Sequence, residues 1–427
     1  MAKHIIIKGT PVVGANEILV ADSNSKIPAV DGSAVTTMAG GNITGTIPTA
    51  RLDTGTTANK VVVLGASGLP AVDGSLLTGI VSHTTSASDP AIDTNPSGGV
   101  GTEWINSTSG KQYICTDATT DENVWINVGA GTGDIQPYVF GGESYGFCAA
   151  GRIGGSDYSD IDRYSFTSDG AGTNVGDATN TMLSAAGAQS VTNGYIMGGF
   201  TYSGSVYYDT IDTFSFSSLG TASDIGNLTQ SKHWVAGHSS ADNAYCTGGS
   251  TGSRIDVIDK VSFSSDGNSD DIGNLTVTRE RIAGCSSVTH GYAVSGYTGS
   301  ASDVIDKFSF SSDSDATDVG NSSVATHSGG GCSSGTHGYH GCGYNNTNEI
   351  GKFSFSSDSD AVDIGNATVG RGDGVSGTSS LTYGYLQGGY IPPDSNVIEK
   401  FSFSSDGDAT DVGDLSQAHQ GGSAQHV

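Results

Sequence analysis

From residue 147 onward, apolar and polar residues alternate in short runs separated by clusters of Gly, Ser, Asp and Asn. This is the pattern of half-buried strands joined by turns. One unit recurs six times. At its centre stands Ile-acid-base-Phe-Ser-Phe, as in Ile305-Asp306-Lys307-Phe308-Ser309-Phe310. Rings two residues apart fall on one face of a strand, with the serine on the other. The second ring position is occupied by Phe166, Phe216, Phe263, Phe310, Phe355 and Phe403, at spacings of 45 to 50 residues.

Further anchors divide the unit. An aromatic stands four residues before a glycine in every copy, from Phe147/Gly151 to Tyr385/Gly389. A Val-Gly or Ile-Gly pair places its glycine ten residues after the second ring, as at Gly273 and Gly320. Only the interval from the glycine behind the aromatic to the second ring varies widely, from 12 to 17 residues. In the fourth copy this predicts four strands: Arg281 to Ser287, Tyr292 to Gly296, the Phe-Ser-Phe strand, and one ending at Val319-Gly320. Four short strands in about 47 residues is the period of a propeller blade. Residues 135–427 are therefore expected to form a six-bladed β-propeller. Small residues such as Ala283-Gly284-Cys285-Ser286 place the first strand nearest the axis. The C-terminal Gly421-Gly422-Ser423-Ala424-Gln425-His426-Val427 matches the inner strand Ala185 to Val191 and is expected to pair into the first blade. Tyr138-Val139-Phe140 competes for that place.

A shorter repeat lies near the N-terminus. Ala15-Asn16-Glu17-Ile18-Leu19-Val20, followed by Ile27-Pro28-Ala29-Val30-Asp31-Gly32-Ser33, returns as Ala58-Asn59-Lys60-Val61-Val62-Val63 and Leu69-Pro70-Ala71-Val72-Asp73-Gly74-Ser75. Neither copy can bury its apolar side alone, so residues 1–82 read as a fibrous stalk intertwined in a homotrimer. Residues 83–134 begin as a Ser/Thr/Pro/Gly linker up to Gly101. A small β module follows around Trp104, Tyr113, Cys115 and Trp125, whose rings read as core.

Composition agrees with an all-β chain. Of 427 residues 65 are glycine, 35% are apolar and only 14% charged, an excess of turn-building residues. The 44 acids against 17 bases give a formal net charge of −27, much of it in repeated turns. With no basic stripe, nucleic acid is excluded as a partner. No apolar run approaches the roughly 20 residues of a membrane span, and Met1 to Lys8 lacks a signal-peptide pattern, so synthesis in a cytoplasm is expected. The cysteines share repeat slots, Cys148 with Cys246 and Cys285 with Cys332, and read as small buried strand residues rather than disulfides.

Candidate chemistry is sparse. Cys332, His337, His340 and Cys342 have zinc-ligand composition but occupy ordinary repeat slots on two adjacent strands. Asp313, Asp315 and Asp318 lack the remaining ligands of a calcium loop. Asn-x-Ser/Thr recurs at Asn227, Asn274, Asn321 and Asn366, always one slot after the fourth-strand glycine, and reads as a turn signature; Arg371-Gly372-Asp373 reads as a chance tripeptide. No Ser/His/Asp set, phosphate loop or carboxylate pair breaks the repeat symmetry, so neither enzyme activity, metal nor cofactor is expected. The variable interval joins the second and third strands, so all six copies emerge on one face. They carry Tyr158, Phe200, Tyr202, Tyr207, Tyr208, Tyr297, Tyr344 and Tyr390. Tyrosine among Asn, Asp and Ser suits sugars and polar partners, which makes this the candidate ligand-binding face.

The repeat resembles the kelch motif. Gly198-Gly199, Gly248-Gly249 and Gly388-Gly389 match its glycine doublet, Phe-Ser-Phe its third strand, and Arg279 and Arg371 lie near its basic position. The other copies carry Ala150-Gly151, Ser295-Gly296 and Cys342-Gly343 instead, and none has the fourth-strand Trp. The turn Ser404 to Thr410 resembles a degenerate Asp-box of sialidase propellers, a structural element there. The phrases Leu69 to Ser75 and Gly45-Thr46-Ile47-Pro48 are similar to those of bacteriophage tail-fibre shafts. That likeness implies a virion protein, in a tail or capsid fibre, made in the host cytoplasm. It would attach to other virion proteins through its N-terminal segment and adhere to a host-surface glycan or protein through the propeller. A capsid head fibre or decoration without a receptor role, and a polysaccharide depolymerase, stand as alternatives.

Overall fold

A computed structural model of the chain describes residues 83–128 and 138–427; the repeats of residues 1–82, expected to form a stalk, lie outside them. The described residues are all-β apart from a short 3-10 turn at Tyr344–Asn346. Among them, no helix is long and apolar enough to cross a membrane.

Residues 83–128 form a four-stranded sheet in the order His83–Ser86, Glu103–Asn106, Gln112–Asp117, Val124–Asn127. Tyr113, Cys115 and Trp125 are its buried centre, and Trp104 packs edge-on against Trp125 at 5.8 Å. The expected linker therefore starts later than its composition implies. Ser86 O accepts the Ser107 N–H at 2.7 Å, and the Trp104 indole donates to Ser88 O at 2.9 Å, so local hydrogen bonds hold a Ser/Thr-rich stretch in place.

Six four-stranded sheets follow. Numbered by their second strands, sheets 2 to 6 lie within residues 186–227, 236–274, 283–326, 330–366 and 376–414, in consecutive strands except that a separate two-stranded pair interrupts sheet 2 between its second and third strands. Sheet 1 takes Ser423–His426 as its first strand, then Tyr145–Ile153, Ser156–Ser165 and Thr173–Asp177. The C-terminal segment, not Tyr138 to Phe140, thus fills the first place, with Ser423 opposite Ala149 and His426 opposite Gly146. Each first strand touches the first strands of both neighbouring sheets, and that of sheet 6 touches that of sheet 1.

Small residues recur on these first strands for a steric reason. A Cβ on Gly237 would lie 2.0 Å from the carbonyl oxygen of Gly187, and one on Gly284 2.3 Å from that of Gly237. The same relation continues from Gly331 to Gly284 and from Gly377 to Gly331, at 2.2 Å each. At the matching place in sheet 1 stands Ala424.

Aromatic stacking joins each sheet to the next. The ring on the second strand stacks on the second Phe of the following sheet: Phe147 on Phe216 at 5.0 Å, Tyr195 on Phe263 at 4.8 Å, Tyr245 on Phe310 at 4.7 Å. Tyr292 on Phe355, Tyr339 on Phe403 and finally Tyr385 on Phe166 continue the series, the last returning from sheet 6 to sheet 1. The third strand of sheet 4, Ala301–Ser309, ends at the serine. Phe310 then reaches beyond it to the neighbour's Tyr245, which Phe308 meets at 5.5 Å. Each buried ring contributes roughly 1.5–3 kcal/mol before chain entropy is set against it.

Polar side chains make a second set of ties. The third-strand acid of one sheet accepts the Ser/Thr hydroxyl from the connection out of the preceding sheet: Asp212 from Thr179, Asp259 from Thr229, Asp306 from Thr276, Glu399 from Thr368 and Asp162 from Ser416. Sheet 5 has Gly351 there. In three sheets the acid also meets a fully buried cation, in Lys232–Asp259 at 2.7 Å, Arg279–Asp306 at 3.0 Å and Arg371–Glu399. Nearer the surface, Lys260, Lys307, Lys352 and Lys400 reach Asp313, Asp358, Asp406 and Asp169 of the following sheet, pairs that contribute about 1 kcal/mol or less each. All six cysteines are buried and free. Burial pushes the thiols of Cys148, Cys246 and Cys285 up to about 12.

Candidate ligand-binding face

Antiparallel order decides which connections share a face. The second-to-third and fourth-to-first connections leave the sheets at one end; the remaining turns leave at the other. Residues 138–144 arrive at that other end, where the Gly142 N–H donates to Ser379 O at 2.9 Å and Gly142 O accepts the Leu381 N–H at 3.1 Å. The variable loops therefore open on the face away from these residues.

Six of the eight expected residues gather in two cavities there. One, of about 790 Å³, is lined by Tyr297, Tyr344 and Tyr390 with Glu280, Arg281 and His327. The other, of about 660 Å³, holds Phe200, Tyr202 and Tyr207 with His233, Trp234 and Arg254. Tyr158 and Tyr208 line neither. Tyr158 sits half-buried within the third strand of sheet 1, opposite Gly151, and Tyr208 packs against the core around Phe147 and Phe214. Phe200 is a buried floor rather than a presented ring. Of the eight candidates, Phe200, Tyr158 and Tyr208 are thus not presented as open rings, because chain direction in a loop, not residue type, decides which rings turn inward.

Local geometry orients the others. The sheet 2 loop folds as a hairpin pairing Phe200–Thr201 with Val206–Tyr207. This stacks Tyr207 on Phe200 at 5.1 Å and on His233 at 4.8 Å. Arg152 lies 3.9 Å over Tyr202 and pairs with Asp157 at 3.2 Å. In the larger cavity Tyr344 stacks on His327 at 4.5 Å, and Tyr297 meets the same imidazole edge-on at 5.2 Å. Tyr202, Tyr344 and Tyr390 remain 50%, 48% and 41% exposed.

Burial holds His233 and His327 down to about 4, so both rings are neutral at pH 7. His238, His340 and His426 are held down to about 4 in the same way. An unfolded histidine titrates near 6.5. Between these values the unfolded chain binds protons that the folded one does not. Stability is therefore full above about pH 6.5, falls as pH drops toward 4, and levels off below that. His290, His337 and His419 are also held down by burial, while Asp212, whose carboxyl burial raises, works in the opposite sense. The melting temperature is expected to be lower at pH 4.5 than at pH 7.5; equal values would contradict neutral burial of these imidazoles.

Sequence reasoning missed three central residues. The Arg281 guanidinium lies 3.9 Å over the Trp234 ring and pairs with Asp373 at 3.1 Å. The available signal was an alignment of the slot two residues before each first strand, where Trp234 and Arg281 stand among serines and glycines.

No three His, Cys, Asp or Glu side chains converge as a metal would require among the described residues. The Cys332 thiol donates to Tyr385 O at 3.2 Å, and His340 Nε2 meets the Ser323 hydroxyl at 3.3 Å. Asp313 pairs with Lys260, Asp315 accepts the Asn274 N–H at 2.9 Å, and Asp318 accepts that of Gly320 at 3.1 Å. The amides of Asn274, Asn321 and Asn366 donate to Asp315, Asp360 and Asp408 of the next sheet, which accounts for the recurrent asparagine. Arg371 of the Arg-Gly-Asp tripeptide is fully buried against Glu399. Comparison with models of known protein families and with curated proteins finds no match to this chain.

Proposed function

We infer that this chain is a virion fibre protein whose six sheets are the blades of a kelch-like β-propeller, and whose loop face takes a host-surface glycan. A circular arrangement is supported by contacts that return from sheet 6 to sheet 1 and by the C-terminal strand in sheet 1. The fibre role and a trimeric stalk rest on the phrases of residues 1–82. One observation carries the ligand reading. Aromatic rings from four separate variable loops converge in two open cavities on one face, away from residues 138–144. Half-exposed tyrosines beside Asn, Ser and neutral imidazole offer flat apolar surface next to hydrogen-bonding groups, the mixture a sugar ring presents in complement.

The test is a glycan array probed with the full-length chain. Tyr202→Ala and Tyr344→Ala are each expected to weaken the selected interaction about tenfold, with stability lowered by about 1.5 kcal/mol or less for the lost ring contacts. An array without a binder, or binding untouched by both substitutions, would overturn the reading. Host polysaccharide shortened on incubation would replace it with a depolymerase.

A further inference from the structure

Six equivalent residues stand two positions before the first strands, around the mouth of the space those strands enclose: Ser184, Trp234, Arg281, Ser328, Gly374 and Gly421. All have φ between +54° and +70°, a left-handed conformation that only glycine adopts freely. The chain holds 65 glycines and uses two of them in this ring. Yet its two positions nearest the cavities carry Trp and Arg. Strained residues of this kind persist where the surroundings over-determine them, and they cluster at ligand sites.

The two side chains lie where the cavities approach each other. Trp234 lines the smaller cavity and Arg281 the larger, both line the mouth between them, and Glu280 borders both cavities. The indole is fixed by Arg281 at 3.9 Å and His233 at 4.2 Å. Arg281 uses Nη1 for Asp373 and Ser328. Among the described residues its Nη2 and Nε have no such partner and remain to donate to hydroxyls. The charges lining the two cavities cancel, with Arg254 and Arg281 against Glu280 and Asp373 and both imidazoles neutral. A site with no surplus cation, in a chain of formal charge −27, does not suit an anionic ligand.

Resting on the loop face as a glycan site, the geometry points to an uncharged linear oligosaccharide. It runs from the Tyr202–Tyr207 cavity across Trp234 and Arg281 into the Tyr344–Tyr390 cavity, with that pair fixing the sugar at the crossing. Each cavity alone takes a short fragment, and the pair makes them one continuous site.

The test sorts the array's neutral and anionic oligosaccharides by length. The full-length chain is expected to prefer neutral glycans, and to bind hexasaccharides at least tenfold more tightly than disaccharides of the same repeat. Trp234→Gly is expected to lose that length advantage, so that hexasaccharides bind no more tightly than disaccharides, and to melt at the same or a higher temperature, since glycine fits φ +54°. Ser184→Gly, the same relief at an equivalent place, keeps the wild-type profile. A preference for anionic glycans, an absence of length dependence, or an unaltered profile in Trp234→Gly would overturn the inference and leave the loop face as a glycan site. Binding of no glycan at all would overturn both.

Discussion

A chain stopped after Gln420 is expected to lose most of its cooperative unfolding transition. The missing segment is the whole first strand of sheet 1, in register from Ser423 opposite Ala149 to His426 opposite Gly146. Val427 and Tyr145 exchange backbone hydrogen bonds in both directions at 3.0 Å. Side chains add the Ser423 hydroxyl to Ala149 O at 3.2 Å and the Gln425 amide to Tyr195 O of sheet 2 at 2.9 Å. At about 1 kcal/mol net per hydrogen bond, roughly six such bonds approach the 5–15 kcal/mol that typically separates folded from unfolded protein. The bared edge of Tyr145–Ile153 would also invite pairing with other chains. Calorimetry is expected to show a weak, early transition, and size-exclusion chromatography an associated species. A truncated chain melting like the intact one would show that sheet 1 does not need this strand.

Arg279→Met is expected to be the most costly single substitution among the buried ion pairs. Asp306 accepts the Thr276 N–H at 2.9 Å and its hydroxyl at 2.6 Å, and meets Arg279 Nη2 at 3.0 Å, with both charged side chains fully buried. Arg279 also donates to Val304 O and Ala293 O at 2.9 Å each. Removing the cation leaves a buried carboxylate without compensation and two carbonyls without donors, a loss of about 3–5 kcal/mol. At roughly 2–4 °C per kcal/mol, the melting temperature should fall by about 6–20 °C. The double change Arg279→Met with Asp306→Leu is expected to recover a large part of that loss, because the penalty belongs to the unpaired charge. An unshifted single variant would mean the pair is idle. Sheet 5 shows that a sheet can do without it: where its neighbours carry an acid it has Gly351, and a Cβ there would fall 2.2 Å from His340 Nε2. A neutral imidazole occupies the space.

The repeat was legible because each unit carries its own strand pattern. Phe308 and Phe310 declare a face, Gly284 and Gly331 declare close approach, and the likeness of the C-terminal segment to Ala185 to Val191 identified the completing strand. Other features depend on where neighbouring sheets fall, which one unit does not record. Lys232 precedes Asp259 by 27 residues in the chain and meets it only because the connection out of sheet 2 lies against sheet 3. Tyr208 and Phe200 turned inward because the loop closes as a hairpin. Trp234 and Arg281 escaped notice because their slot is otherwise filled by Ser and Gly, so nothing in its pattern announced a functional position.

The shared sheet has a temporal consequence. The Ser423 hydroxyl bonds to Ala149 O across 274 residues of sequence. A ribosome moving at about 5–20 residues per second needs roughly 15–55 s to travel that distance. During this interval five sheets can form while the first waits with an open edge, held only by its neighbours. The nascent chain is most exposed to mispairing, with copies of itself on the same messenger above all, until Ser423–His426 is made. Strand order thus makes the arrival of Ser423–His426, rather than the folding of any earlier sheet, the step that joins the six sheets into one piece.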